Sequence, residues 1–358
     1  MKKFSRACAA ILLAVVLVMC GCAASIDGSE EVKPEETSTD ARVAADTDAT
    51  DSDEEATVVD EKAVAAEADS LRIGSMKGPT SIGLASMMQK EQGDFTVVAA
   101  ADELTPLLLQ DELDIALVPA NVAALLYQKT EGAIRVIDVN TLGVLYGVSL
   151  DESVSSIEDL RGRTVYMTGK GAVPEYTFVA LLGAAGMSTD EVTVEFCSEP
   201  AEVAAQVSQN ATAVGILPQP YATAISVQNP DVHTVLDLNK AWVELTDGEL
   251  GDIVTGVTVA KASTLEEHPD AIALFLERHG ESAAAANADP AAIAPVVAEL
   301  GIIDNEALAQ KAIPQCNVVC LVGEPMREAL SGYLENLYAQ NPESIGALPD
   351  EDFYFIAQ

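Results

Sequence analysis

Four short stretches place hydroxyl, amide or charged side chains directly after an apolar run and directly before a helix-like pattern. They are called corners one to four: SMKGPTSIG (75–83), VPANVAAL (118–125), TGKGAVPEYTF (168–178) and LPQPYATA (217–224). A proline at the first helical position loses no hydrogen bond, and the next backbone N–H groups have no partner inside the helix. These N–H groups carry partial positive charge and can hold a carboxylate, sulfonate or phosphate. The corners therefore predict binding of a small molecule.

The side chains around the corners supply the candidate ligand-binding groups. Thr80 and Ser81 offer hydroxyls, Asn121 offers an amide that can donate and accept, and a tyrosine can stack on a flat solute. Each of these side chains also has an alternative role in capping or packing. The candidates are Lys77, Gly78, Thr80, Ser81, Asn121, Asn140, Thr141, Lys170, Glu175, Tyr176, Gln219 and Tyr221.

The charge of the ligand stays open at this point. Lys77, Lys170 and the helix N-termini favour an anion, whereas Glu175, Asp102 and Glu103 favour an amine. A zwitterion, or a heteroaromatic ring with both donor and acceptor edges, fits this mixture.

No pattern typical of an enzyme accompanies the corners. The three histidines have no cysteine or carboxylate nearby at metal-binding spacing, and there is no G-x-S-x-G motif. The Gly-Lys pair in TGKGAVPEY lacks the remainder of a phosphate-binding loop. The sequence therefore predicts no catalytic residue, no metal site and no cofactor.

The elements that must position these side chains alternate between strands and helices. Apolar runs rich in Val, Ile and Leu predict strands, and longer segments between them predict helices, which together indicate α/β layers with mostly parallel sheets. The strand-like runs are LRIGSM, FTVVAA, DIALVP, IRVIDVN, VLYGVSL, TVYMTG, VTVEFC, AVGILP, HTVLDL and IVTGVTVA. The helical segments include PTSIGLASMMQKE, PEYTFVALLGAAG and PAEVAAQVSQN.

The same order of elements occurs twice, which predicts two lobes of like design. Lobe I is expected at 71–150 and 257–358, and lobe II at 151–256, with two connecting strands as a hinge. Because ligands bind outside the carboxyl ends of strands in such sheets, the four corners are expected to face one another across a cleft.

The N-terminal region is expected to be separate from the lobes. Residues 1–21 have a basic start and an apolar stretch, as in a secretory signal, and the following Cys22 is typical of a bacterial lipoprotein processing site. A plain secretory signal with incidental cysteines is the alternative. Residues 22–70 are acidic and poor in large apolar side chains, so they predict a disordered tether.

Charge and cysteine content exclude two further classes of protein. The whole chain carries a formal net charge of −38, so there is no basic groove for nucleic acid. Cys197, Cys316 and Cys320 are an odd, scattered set and no disulfide framework. Within a strand, Cys316 and Cys320 would lie about 13 Å apart, too far for a bridge. We expect free thiols.

The chain from 71 to 358 resembles the solute-binding lipoproteins of ABC importers, of the two-lobed type II periplasmic-binding-protein class. It is most similar to the group that includes nitrate, sulfonate, taurine and thiamine-pyrimidine-precursor receptors. The stretches that carry the resemblance are IGSMKGPTSIGL, ELDIALVPANVAALLY, VNTLGVLYGV, SIEDLRGRTVYMTGKGAVPEYTF, GILPQPYATA and AIPQCNVVCLVGEPMREALSGYLENLY.

This resemblance implies a monomeric receptor that is lipid-anchored on the extracytoplasmic face of the cell membrane. It would capture a small organic solute between its lobes and deliver it to the permease and ATPase subunits of an ABC importer. Two alternatives stay open: a sensory or surface lipoprotein with the same fold, and an enzyme related to pyrimidine-precursor or quinone-precursor biosynthesis.

Overall fold

The structure is a computed structural model, and it describes residues 60–356. The expected signal segment, Cys22 and the expected tether up to residue 59 lie outside the described residues.

Within the described part, strands and helices alternate as the sequence predicts. The strands are β1 (Arg72–Met76), β2 (Asp94–Val98), β3 (Ile115–Pro119), β4 (Ile134–Leu142), β5 (Leu145–Ser149), β6 (Thr164–Met167), β7 (Thr193–Phe196), β8 (Val214–Pro218), β9 (His233–Asp237), β10 (Val254–Lys261) and β11 (Val318–Leu321). The helices are α1 (Glu61–Asp69), α2 (Pro79–Ile82), α3 (Ala85–Gln89), α4 (Ala101–Leu109), α5 (Ala120–Lys129), α6 (Val173–Ala184), α7 (Pro200–Gln209), α8 (Tyr221–Gln228), α9 (Leu238–Leu245), α10 (Ala262–Glu267), α11 (Pro269–Ala288), α12 (Pro290–Glu299), α13 (Glu306–Ala312) and α14 (Gly323–Gln340). Each predicted strand run overlaps a strand of the structure.

Two sheets form the centres of two lobes, which confirms the predicted α/β class. The sheet of lobe I has the order β11-β4-β10-β3-β1-β2, and the sheet of lobe II has the order β7-β6-β8-β5-β9. Both sheets are mixed rather than mostly parallel: β1, β2 and β3 pair in parallel, as do β6, β7 and β8, whereas β5, β10 and β11 pair antiparallel to their neighbours.

The antiparallel strands β5 and β10 follow directly on the segments that connect the lobes. Gly143 and Val144 join β4 of lobe I to β5 of lobe II, so β5 belongs to lobe II although it precedes the expected boundary at 150. A β-carbon on Gly143 would lie 2.7 Å from the Cβ atom of Asn239, so only glycine allows this close approach. The chain returns to lobe I where β10 begins, at Val254.

A helix occupies the end of the segment expected to be a disordered tether. α1 is rich in alanine and glutamate, and the Asp60 side chain caps it by accepting from the Lys62 N–H at 3.1 Å. Ala68 is buried, and Asp69 pairs with Arg278 of α11 at 2.8 Å. The expectation of disorder is therefore wrong for 61–69, because these residues pack on lobe I.

The predicted helix PTSIGLASMMQKE is divided in the structure into α2 and α3. Gly83 lies between the two, and a β-carbon there would be 3.0 Å from Nε2 of His279. The glycine therefore allows α11 to approach this turn.

Among the described residues, the helices are too short or too polar to span a membrane.

Candidate functional site

A cavity of about 630 Å³ lies between the two lobes. This volume is within the range typical of small-molecule sites, which often occur between domains. Its lining combines both lobes with the connecting segments: Pro119, Ala120, Asn121, Leu125, Gly143, Val144, Leu145, Thr168, Gly171, Ala172, Val173, Pro174, Tyr176, Thr177, Ile216, Pro218, Ile253, Val254, Thr255, Tyr333, Asn341, Glu343 and Ser344. The lining is mainly apolar.

Corner two places Asn121 at the cavity. Asn121 lies in the first turn of α5, directly after β3 ends at Pro119. Its side chain is partly buried, and its amide makes no hydrogen bond to any described residue. It is therefore free to donate to and accept from a ligand.

Corner three contributes Tyr176 from lobe II. Its hydroxyl donates to the Gly171 carbonyl at 2.9 Å and accepts from the Asn341 side-chain amide of lobe I at 2.7 Å. The side chain of Glu175 turns towards the loop before α6, where its carboxylate accepts from the Gly171 N–H at 2.5 Å. Lys170 is exposed and lies over the Phe196 ring, with Nζ 5.6 Å from the ring centre, so it is not part of the lining.

Corner four connects the lobes, and Pro218 is its one residue among the described lining of the cavity. Gln219 is buried; its amide donates to Oε1 of Gln315 in lobe I at 2.9 Å and accepts from the Thr223 hydroxyl at 2.8 Å. Tyr221 is 51% exposed. Tyr146 of β5 also donates to the Gln315 carbonyl, at 2.8 Å. Corner four therefore holds the lobes together on one side of the cavity.

Corner one lies away from the cavity lining. The hydroxyls of Thr80 and Ser81 donate to the Met76 carbonyl at 3.2 and 2.5 Å, and the Gly78 N–H donates to the Ile302 carbonyl at 3.1 Å. Lys77 is exposed to solvent. The structure does not bring this corner to the other polar groups of the cavity, and ligand binding there stays a prediction.

Asn140 and Thr141 at the end of β4 belong to a buried hydrogen-bond network. The Thr141 hydroxyl donates to Asn140 Oδ1 at 2.9 Å, and Asn140 Nδ2 donates to the Thr258 hydroxyl at 3.2 Å. Thr258 in turn donates to Oδ1 of Asp138 at 2.8 Å. Neither Asn140 nor Thr141 lines the cavity.

The network ends in a buried histidine that the sequence reasoning missed. Nδ1 of His279 lies 3.1 Å from Oδ2 of Asp138, and both side chains are 0% exposed. The two residues lie 141 positions apart, so no spacing rule could pair them. Only the fold, which packs α11 against β11 beside β4, brings them together.

Asp138 and His279, together with Cys320, are the residues of the described part that could hold a metal ion. One ligand atom from each lies within 4.8 Å of the others. However, burial and the neighbouring Asp138 raise the pKa of the Cys320 thiol, and metal ions bind the thiolate. Both Asp138 oxygens already have partners. We therefore interpret the group as a structural pair. Cys197, Cys316 and Cys320 carry free thiols in the structure, and the absence of disulfide bonds stays a prediction.

A further contact between the lobes lies beside Tyr176. The hydroxyls of Thr177 in α6 and Tyr333 in α14 are 3.3 Å apart. Burial raises the pKa of Tyr333 to about 12, although the hydrogen bond with Thr177 lowers it. Tyr333 therefore presents a neutral hydroxyl at the cavity near physiological pH.

Comparisons with known proteins agree with this architecture. A family model described as menaquinone biosynthesis matches residues 71–338, and the search of curated proteins found no match. An ABC transporter protein from Parabacteroides distasonis has a TM-score of 0.68 and 21% identity, over 81% of this chain and 100% of that chain.

Two sulfonate-binding proteins are also similar in structure. The periplasmic aliphatic sulphonate-binding protein SsuA from Escherichia coli has a TM-score of 0.59 and 16% identity, over 79% of this chain and 95% of that chain. The alkanesulfonate-binding protein SsuA from Xanthomonas axonopodis pv. citri, bound to MOPS, has a TM-score of 0.54 and 15% identity, over 79% and 95%. These similarities confirm the two-lobed fold.

Proposed function

Because the chain belongs to the menaquinone-biosynthesis family and has the two-lobed fold of solute receptors, we propose that it binds a small organic solute between its lobes. The observation that carries this proposal is the cavity of about 630 Å³, lined by both lobes and by the two segments that connect them. A ligand in this cavity would contact lobe I and lobe II at once. It would therefore favour whichever arrangement of the lobes fits it best.

The hydrogen bonds between the lobes support closure around the ligand. Tyr176 and Asn341 lie in the lining, and Gln219 and Gln315 lie outside it. These contacts would separate if the lobes opened about Gly143 and Val144. A ligand shifts such an equilibrium only by its difference in affinity for the two forms.

We expect a bound solute to copurify with the protein and to contract it. Small molecules released by denaturing the purified protein would be identified by mass spectrometry, and the ligand-free protein would be measured by small-angle scattering with and without the compound. Contraction is expected at saturation, because the ligand joins both lobes. An unchanged radius of gyration, together with no retained compound, would contradict the proposed function.

Delivery of the solute to an ABC importer is the finer part of the proposal. It is supported by the fold and by the structural neighbours, which are an ABC transporter protein and sulfonate-binding proteins. The partners would be permease and ATPase subunits, and the receptor would act as a monomer on the extracytoplasmic side. Permease and ATPase genes beside this gene would support import, whereas a sensor-kinase gene would support sensing.

Cys22 would attach the receptor to the membrane through lipid. Its position after a basic start, an apolar stretch and Gly21 supports this proposal. We expect a fatty-acid probe to label the parent protein and the control Cys20→Ser in cells, but not Cys22→Ser. Two acyl chains are sufficient for stable anchoring, since each buried methylene contributes about 0.8 kcal/mol. Equal labelling of Cys22→Ser and the parent would contradict lipidation at this residue.

An enzymatic role in quinone-precursor metabolism is the second candidate, and the family description favours it. The titratable side chains in the lining are Tyr176, Tyr333 and Glu343. Tyr333, with its pKa raised to about 12, is poorly matched to proton transfer at neutral pH, and Glu343 is exposed. Binding is therefore the function that the geometry supports best. Turnover of the copurified compound by the purified protein would establish the enzymatic role instead.

A further inference from the structure

We propose that the cavity between the lobes selects an uncharged, largely apolar solute rather than an anion. This inference rests on the proposed binding function and specifies the chemical class of its ligand.

The lining formed by the described residues contains no basic side chain. Among its described residues the one charged group is the carboxylate of Glu343, which is exposed. The lysines of corners one and three, Lys77 and Lys170, are both exposed and absent from the lining. An anion moved from water into this cavity would lose its hydration without a compensating cation, which is unfavourable.

The N-terminus of α6, which carries partial positive charge, also borders the cavity. The carboxylate of Glu175 already lies beside this helix end. Gly171, Ala172 and Val173 line the cavity where α6 begins. Glu175, in the first helical turn, accepts a hydrogen bond from the Gly171 N–H at 2.5 Å. Its negative charge offsets the partial positive charge of this helix end, so α6 gives an anion little stabilisation. The N-terminus of α5, where Ala120 and Asn121 line the cavity, has no acidic side chain in its first turn. Its partial charge of roughly half an elementary charge is smaller than the full charge of a lysine or arginine.

Neutral hydrogen-bonding groups are present in the lining. The Asn121 amide and the hydroxyls of Thr168 and Thr255 line the cavity, and none of them makes a hydrogen bond to a described residue. Amides and hydroxyls both donate and accept, so they can orient a carbonyl, amide or hydroxyl group.

The remaining surface favours an apolar body for the ligand. Aliphatic side chains from both lobes and from the connecting segments form most of the lining: Leu125, Val144, Leu145, Val173, Ile216, Ile253 and Val254. Burial of apolar ligand surface against them contributes roughly 25 cal/mol per Å². A cation has only Glu343, and an exposed ion pair contributes little.

Three probes that share one apolar body would test this inference: biphenylcarboxamide, biphenylcarboxylate and biphenylmethylammonium. Calorimetry on the ligand-free parent protein should show that the carboxamide binds at least about tenfold more tightly than either charged probe. Asn121→Leu should weaken carboxamide binding about tenfold, since it removes the amide and retains the approximate size. Asn121→Lys should reverse the preference towards the carboxylate.

A charged probe that binds the parent as tightly as the carboxamide would overturn the inference, and so would absence of binding by all three. If a compound copurifies with the protein and contracts it, these results would contradict only the proposed ligand class and not the proposed binding function. Copurification of an anion would likewise overturn only the proposal that the ligand is uncharged. Circular dichroism of both Asn121 variants would establish that they are folded.

Discussion

Asp138→Ala is expected to lower the free energy of unfolding by about 2–6 kcal/mol, because two buried groups lose their partner and each unsatisfied buried group costs about 1–3 kcal/mol. Asp138 and His279 are both 0% exposed, and the carboxylate also accepts from the Thr258 hydroxyl at 2.8 Å. The substitution leaves the imidazole of His279 and the Thr258 hydroxyl without their partner in a place that water does not reach. Urea denaturation followed by circular dichroism would measure the loss.

Asp69→Ala is the matched control for this prediction. Asp69 also pairs with a side chain of α11, Arg278 at 2.8 Å, but its own side chain is 45% exposed. Loss of such a surface pair costs at most about 1 kcal/mol. If Asp138→Ala were no more destabilising than Asp69→Ala, the buried pair would not be an important support of lobe I.

The buried pair also shows where prediction from the sequence ends. Strands were predictable because a buried strand needs a local run of apolar residues, as in β3 and β8. The partner of Asp138 lies 141 residues away, and that of Gln219 lies 96 residues away. Such pairs depend on how elements pack, which no local pattern contains.

The corners show the same limit at the level of single side chains. Corners one and two have the same strand-to-helix pattern, so the sequence predicts the same ligand-binding role for both. In the structure, Ser81 turns its hydroxyl back to the Met76 carbonyl, whereas Asn121 lies at the cavity. Local spacing places both residues in the first turn of a helix that follows a strand. It does not decide whether a hydroxyl satisfies the backbone or is available to a ligand.

Strand β11 was missed for a related reason. It has four residues and pairs antiparallel with β4 at the edge of the lobe I sheet. Its short apolar run VVCLV lies between helical segments, where periodicity alone does not distinguish a buried strand from part of a buried helix. The strand belongs to the sheet because its neighbour β4 is already in place.

Filling the cavity from both sides should abolish binding of the neutral probe. In Thr168→Trp/Thr255→Trp, one indole would enter from lobe II and one from lobe I, because Thr168 follows β6 and Thr255 lies in β10. A ligand of this kind has most of its surface buried, so occupied volume directly excludes it. We expect biphenylcarboxamide to bind at least about a hundredfold more weakly, which corresponds to roughly 2.7 kcal/mol.

Thr193→Trp is the control for this substitution. Thr193 lies on β7, is exposed, and is not part of the cavity lining. Its variant should bind the probe as the parent does, and circular dichroism would establish that both variants are folded. Both threonines of the double variant are partly exposed, so the change should leave the lobes folded. Unaltered binding by a folded Thr168→Trp/Thr255→Trp variant would place the ligand outside this cavity, because two indoles and the probe cannot share its facing walls.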